Sequence, residues 1–258
     1  ASDVYKRQTY EGLKAQGMDG IFIATGVGVA NYMGIPGEDL KGVYTASEYL
    51  AKYNLMSPEE LAEALPSLRG KRVAVIGGGN TAIDAVRTAI RLDAKQATIV
   101  YRRSEEEMPA RAEEIKHARE EGTEFFNLHN PVEYLGDESG HVTAMRLERM
   151  ELGAPDESGR RRPVATGEII TVPVDEVIIC IGYSASTLVT KSMPELEVNK
   201  WGNIVVDEGK KTSMPDVYAG GDIVRGAATV ILAMGDGRRA ATAMHQKLSG
   251  RIEEGALV

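Results

Sequence analysis

Gly77, Gly79 and Ala82 stand at the spacing GxGxxA within Gly77-Gly78-Gly79-Asn80-Thr81-Ala82. Between a strand and a helix this pattern is expected to hold a pyrophosphate, the alternative being a structural glycine turn with no ligand. Bare backbone at the second glycine allows close approach, while the helix N-terminus offers unpaired N–H groups and a positive dipole. A small sixth residue lets helix and strand pack closely. About 20 positions on, an acidic residue would bind the 2′-hydroxyl of NAD, but here the sequence reads Tyr101-Arg102-Arg103. A guanidinium pairs a phosphate through two charge-assisted hydrogen bonds, so Arg102 and Arg103 are expected to read the 2′-phosphate of NADPH. The competing reading has both arginines balancing Glu105, Glu106 and Glu107 on the surface.

A second constellation lies near the C-terminus. Val217–Asp222, VYAGGD, presents a strand, then Gly220, Gly221 and Asp222, a carboxylate able to accept hydrogen bonds from sugar-like hydroxyls. A helix start near Thr229 and Val230 could direct N–H groups at an electron-rich ring carbonyl. Asp222 as a simple turn or cap residue is the alternative. Cys180, the single cysteine, sits in an apolar strand and reads as a small buried hydrophobe; alone it forms neither an intrachain disulfide nor a CxxC pair. His117, His129, His141 and His245 lack ligand spacing, so no metal site is expected. Arg160, Arg161 and Arg162 are expected in a solvated turn between strands. No side chain stands out as a catalytic acid, base or nucleophile.

These residues need a frame. Ile21–Ala24 reads as a buried strand running into Thr25 and Gly26. Thr45 with Glu48 forms a capping-box pattern, and Ser57, Pro58 and Glu60 start another helix; both helices are read as connectors. A second unit opens at Lys71, with a strand at Val73–Ile76, a helix at Thr81–Leu92 and a strand at Thr98–Tyr101, which together make one βαβ unit. A charged helix over Ala112–Glu121 stops at Gly122. Segments near Pro131–Leu135, Val142–Met150 and Glu168–Val172 then suggest an antiparallel meander. Val177–Ile181 is a last apolar strand, ending at Gly182, after which the chain is expected to return to the first domain. The expected domains are 1–68, 69–184 and 185–258, the first and third forming one body and residues 1–8 reading as a scar.

With 258 residues, 43% hydrophobic and 26% charged, the chain has the composition of a globular protein with a core. A net charge of -8 without a basic stripe argues against a nucleic-acid partner. No apolar run is long enough for a membrane helix, and a cytoplasmic location is expected.

The motifs IFIATG, IPGEDLKGVYTASEYL, VAVIGGGNTAIDAVRTA, TIVYRRSEEEMPAR, ELGAPDESGRRRP and VYAGGDIVRGAATVILAMGDGRRAA follow one another in this order. Together they resemble the NADPH-dependent glutamate synthase small (beta) subunit and its pyridine nucleotide-disulfide oxidoreductase-like relatives, over nearly everything after residue 9. The resemblance implies an α/β fold in which a Rossmann-like NADPH domain, a parallel sheet plus an antiparallel meander, is inserted into an incomplete FAD-binding domain. It implies hydride transfer from NADPH to FAD, with electrons passing to iron–sulfur clusters held in missing or partner segments. The implied partner is a large glutamate synthase subunit or a ferredoxin-type acceptor.

By that resemblance Gly77, Gly79, Asn80, Thr81 and Ala82 would hold the pyrophosphate and Arg102 and Arg103 the 2′-phosphate. Thr25 and Gly26 would lie beside FAD, Asp222 on its ribityl or phosphate portion, and Thr229 and Val230 at the ring, with Gly182 and Gly221 as further cofactor-binding positions. The family's first FAD strand, its glycine loop and the cysteine-rich domain before them have no counterpart here, so the chain is expected to be an N-terminally truncated fragment. That puts FAD retention by the fragment alone in question. Where relatives place a proline shortly after the position of Gly182, this chain reads Tyr183-Ser184-Ala185. Two other readings stand beside the first: the large subunit of a ferredoxin:NADP oxidoreductase, and a non-catalytic NADPH-binding module.

Overall fold

A computed structural model describes residues 9–57, 60, 67–156 and 159–250. The supposed scar at 1–8 and most of the helix expected after Ser57 lie outside the described residues. At the start of that helix, Ser57 and Glu60 exchange the two bonds of a capping box: the Glu60 N–H donates to Ser57 Oγ at 3.3 Å and the Ser57 N–H to Glu60 Oε2 at 2.9 Å.

The chain divides into two compact units, one comprising residues up to Val29 and from Gly182 onward, the other Ala30–Ile181. In chain order the elements are α1 (Tyr10–Ala15), β1 (Ile21–Ile23), β2 (Val27–Ala30), β3 (Val43–Thr45), α2 (Ala46–Leu55), β4 (Arg72–Ile76), α3 (Asn80–Arg91), β5 (Gln96–Tyr101), α4 (Ala112–Glu120) and β6 (Glu124–Asn127). These are followed by β7 (His129–Gly136), β8 (Val142–Pro155), β9 (Arg161–Pro173), β10 (Glu176–Ile179), β11 (Tyr183–Ala185), α5 (Thr187–Ser192), β12 (Val217–Ala219), α6 (Asp222–Arg225) and α7 (Val230–Leu248). The protein is therefore an α/β structure with parallel and antiparallel sheets.

In the second unit β3-β10-β4-β5-β6 form a parallel sheet, and β7-β8-β9 an antiparallel one. Val73, Ala74, Val75 and Ile76 of β4 are all buried, as a strand covered on both faces requires. α3 packs Ala82, Ile83, Ala85, Val86 and Ala89 into the same core. Burying Ile83 and Val86 contributes about 1.5–3 kcal/mol each. The chain moves from β4 to β5 to β6 in one direction and later places β10 on the other side of β4. Strand order thus reverses at β4, where ligands of open α/β sheets bind outside the C-terminal strand ends.

Two sequence expectations change here. The connector at residues 30–57 belongs to the second unit, because β3 pairs with β10 and Tyr49 of α2 is buried in the core. β3 is only three residues long, too short for its alternation to be recognised. The Arg160–Arg162 run is not all turn: β9 begins at Arg161, and Pro155 pairs with Arg161 across the hairpin.

In the first unit β1 and β12 pair in parallel. Ile21, Ile23, Val217, Ala219 and Ile223 share its core with Leu196, Ile204 and Met214.

Candidate functional site

The glycine loop leaves β4 at its C-terminal end and enters α3. Its three glycines have different physical reasons. Gly77 has φ +139°, and a Cβ there would lie 2.3 Å from the Cys180 carbonyl oxygen, so this position is fixed by packing against β10's end. At Gly78 a Cβ would press on the Tyr101 ring at 2.8 Å. Gly79 is different: nothing of the protein lies within 4 Å of the place a Cβ would take. No internal contact requires that glycine, yet it is the position at which a pyrophosphate needs bare backbone.

Gly79 is also the N-cap of α3, with no side-chain cap. Among the described residues the N–H groups of Gly79, Asn80 and Thr81 have no hydrogen-bond partner; the first inward bonds are Ala82 and Ile83 N–H to the Gly79 carbonyl, at 2.9 and 3.2 Å. Ala82 is fully buried against the sheet. Asn80 has a structural task as well, since its Oδ1 accepts the Arg111 N–H at 3.0 Å, and the Ala110 N–H donates to the Gly78 carbonyl at 3.1 Å. The segment after β5 is thereby tied to the loop.

At the end of β5 the two arginines part. Just past the end of β5 the chain bends, with Tyr101 buried, Arg102 exposed and Arg103 buried. Arg102 is exposed and has no ion-pair partner among the described residues. Arg103 is only 6% exposed, and its Nη2 pairs with Asp156 Oδ2 at 2.7 Å. The expected two-arginine reader is thus one presented guanidinium and one already engaged. Nor do the arginines balance the following glutamates: Glu105 pairs with Arg119, and Glu106 and Glu107 with Arg161. Glu107 is held below the usual carboxylate range by its bond from Ser104 Oγ and then by Arg161.

The first unit carries the second constellation. A cavity of about 260 Å³ is lined by residues including Phe22, Gly26, Gly221, Asp222, Thr229 and Val230. Thr25, on the same loop, is exposed. Asp222 begins α6 and accepts the Ala228 N–H at 3.3 Å, so part of its acceptor capacity holds the following loop. Thr229 caps α7 by accepting the Leu232 N–H. Val230 and Ile231 are 75% and 80% exposed, an apolar first helical turn facing away from the core. Gly182, the glycine expected beside the cofactor, has φ +91°.

Sequence reasoning missed the best-connected carboxylate of this unit. Asp236 is 0% exposed, bonds Arg225 through both oxygens at 2.6 Å, meets Lys210 Nζ at 3.0 Å and accepts the Gly221 N–H at 3.1 Å. Arg225, then Lys210 and the Gly221 N–H, hold its carboxyl well below the ordinary range. The available signal was periodicity: Ala233, Asp236 and Ala240 share one helical face, and the two small residues mark that face as packed. Cys180 is buried, and burial pushes its thiol upward. No group of three or more His, Cys, Asp or Glu among the described residues could hold a metal ion, and no described helix is long and apolar enough to cross a membrane.

A parallel sheet with a glycine loop at its reversal point, in a chain that also carries a second α/β unit, defines the Rossmann-like dinucleotide-fold class. The chain belongs to the pyridine nucleotide-disulphide oxidoreductase family, whose profile matches residues 2–245. It is 43% identical over 234 residues to the β subunit of the NADP(+)-dependent formate dehydrogenase of Moorella thermoacetica, covering 89% of this chain and 32% of that protein. It is 40% identical to the glutamate synthase [NADPH] small chains of Escherichia coli (strain K12) and Azospirillum brasilense, covering 86% and 90% of this chain and 49% of each relative. The chain therefore spans half or less of these curated relatives. Among solved structures, FprA of Mycobacterium tuberculosis in complex with NADPH superposes with a TM-score of 0.75 at 21% identity, over 95% of this chain and 68% of that one. Thioredoxin reductase of T. acidophilum follows at 0.67 and 24%, over 89% and 66%. At these identities the superpositions establish the fold. The family's disulphide chemistry has no pair to act through in this sequence, which has one cysteine.

Proposed function

We propose that this chain is the NADPH-to-flavin portion of an oxidoreductase subunit. NADPH binds at the glycine loop, its pyrophosphate on the Gly79, Asn80 and Thr81 N–H groups and its 2′-phosphate at Arg102. The observation that carries this reading is the bare approach at Gly79, a glycine that no internal contact demands. Two relatives' names support the cofactor, since the formate dehydrogenase subunit is NADP(+)-dependent and the glutamate synthase chain is an [NADPH] enzyme.

FAD fits the first unit in part. The cavity of about 260 Å³ has room for one portion of such a ligand, and the exposed Val230–Ile231 turn offers apolar surface for a planar ring. Gly221 and Asp222 would hold the ribityl or phosphate portion, and Thr25 and Gly26 the adjoining face. Bound FAD supplies acceptance of a hydride and release of electrons one at a time. The residues here do the rest: they bind, orient and desolvate, and among the described residues none is assigned as a catalytic acid, base or nucleophile. The output is electron delivery to iron–sulfur clusters held elsewhere, with a large glutamate synthase subunit as partner and glutamate synthesis as the end use. The 43% identity to a formate dehydrogenase subunit favours a second reading, in which the same NADPH–flavin portion serves a different partner.

The test is to purify the chain, supply FAD, and follow NADPH-driven reduction of a dye. Yellow protein that reduces the dye faster with NADPH than with NADH is expected. Colourless protein that binds NADPH and reduces nothing, even with FAD supplied, replaces this reading with a non-catalytic NADPH-binding module.

A further inference from the structure

We propose that Asp156 is a positioning residue for cofactor choice: by holding Arg103 inward it makes Arg102 the single guanidinium presented to a 2′-phosphorylated adenosine. The inference rests on the NADPH reading above and assigns the two arginines unlike tasks.

The hairpin of β8 and β9 braces the segment that carries Arg102 from both of its strands. From the end of β8, Asp156 takes the Arg103 guanidinium at 2.7 Å. From the start of β9, Arg161 Nε bonds Glu107 Oε1 at 2.6 Å. Ser104 Oγ also bonds the Glu107 carboxylate, and the Tyr101 hydroxyl donates to the Glu107 carbonyl at 2.9 Å. Below them, the Leu128 N–H donates to the Arg103 carbonyl at 3.1 Å, and the Met150 N–H of β8 to the Leu128 carbonyl at 2.7 Å. Residues 101–107 are thus fixed at both ends, with Arg102 between the anchors and pointing out.

Asp156 is decisive because Arg103 is buried. A guanidinium withdrawn from water needs a carboxylate, and Asp156 is the one that pairs with it among the described residues. Arg103 Nε is buried without a hydrogen-bond partner, so among the described residues the Asp156 pair is what anchors this guanidinium. Without the Asp156 charge, Arg103 gains by leaving its place, and the backbone of the adjacent Arg102 moves with it. Using Arg103 as a direct phosphate ligand would likewise require breaking this pair.

The probes are 2′,5′-ADP and 5′-AMP, which differ by the 2′-phosphate, titrated calorimetrically into the full chain. Asp156→Asn should weaken 2′,5′-ADP on the order of tenfold and leave 5′-AMP unchanged. Adding Arg103→Met removes the unpaired buried cation and should restore most of the lost affinity. Equal weakening of both probes would reduce the hairpin to a general support of the fold. An unchanged or tightened affinity for 2′,5′-ADP in Asp156→Asn, or a deeper loss on adding Arg103→Met, overturns the assignment. Should Asp156→Asn not fold, the double variant decides alone: a kept preference for 2′,5′-ADP supports the proposal and a lost one defeats it. A wild-type protein without preference between the probes defeats the NADPH reading itself, and this inference with it.

Discussion

One carboxylate oxygen of Asp236, midway along the first half of α7, accepts the backbone N–H of Gly221 at 3.1 Å. Gly221 has φ +75° and lines the cavity of the first unit, so the helix fixes the cavity wall through this bond. The same carboxylate pairs with both Arg225 and the buried Lys210. Removing it leaves a buried cation and an unpaired N–H. Asp236→Ala should therefore destabilise the protein by about 3–5 kcal/mol, measured by denaturant unfolding; a loss below about 1 kcal/mol would show that the network is not structural.

Acid should find this network and one other. The Asp236 carboxyl is lowered mainly by Arg225, and Asp175 is lowered to about 2 by its bonds from Arg72. A depressed folded-state value means stability that is present above the unfolded carboxylate value of about 4 and lost as pH falls towards the folded one. The urea midpoint should fall steeply from about pH 4 downward, and less steeply in Asp236→Asn. Identical acid slopes for the two proteins would contradict the assignment.

The glycine loop separates fold from function within three residues. Gly77→Ala meets the Cys180 carbonyl and should fail to fold or lose several kcal/mol. Gly79→Ala meets nothing, so its stability should change by less than about 1 kcal/mol, while NADPH affinity falls roughly tenfold or more. A Gly79→Ala protein that binds NADPH normally would remove the main support for the site.

Cys180 should be silent to thiol reagents in the native protein, because the thiolate is the reactive form and burial pushes the thiol upward. Titration with a chromogenic disulfide should detect one thiol after denaturation and almost none before. Fast native labelling would mean that the end of β10 opens readily.

Much of the fold was legible because one period dominated each segment. β4, α3 and β5 combine a continuous apolar run, a helical stripe and a second apolar run, and the glycine loop between them has a known mechanical use. The meander was visible as alternation, although β8 and β9 run on to Pro155 and from Arg161, where the pattern fades into charged residues. What could not be read depended on partners far away in sequence. Arg102 and Arg103 are identical in type, and only the carboxylate 53 residues after Arg103 distinguishes them. Asp236 could not be singled out because its partners Arg225 and Lys210 come from other elements. β3 joined the large sheet through pairing with β10, which no local window contains.

On the proposed reading, Arg102 makes this protein choose NADPH. Equilibrium titration of the wild type and Arg102→Ala with NADPH and NADH tests it most directly. NADPH should bind the variant at least about tenfold more weakly, with NADH changed by less than about twofold. Equal loss for both nucleotides, or none for either, would contradict it.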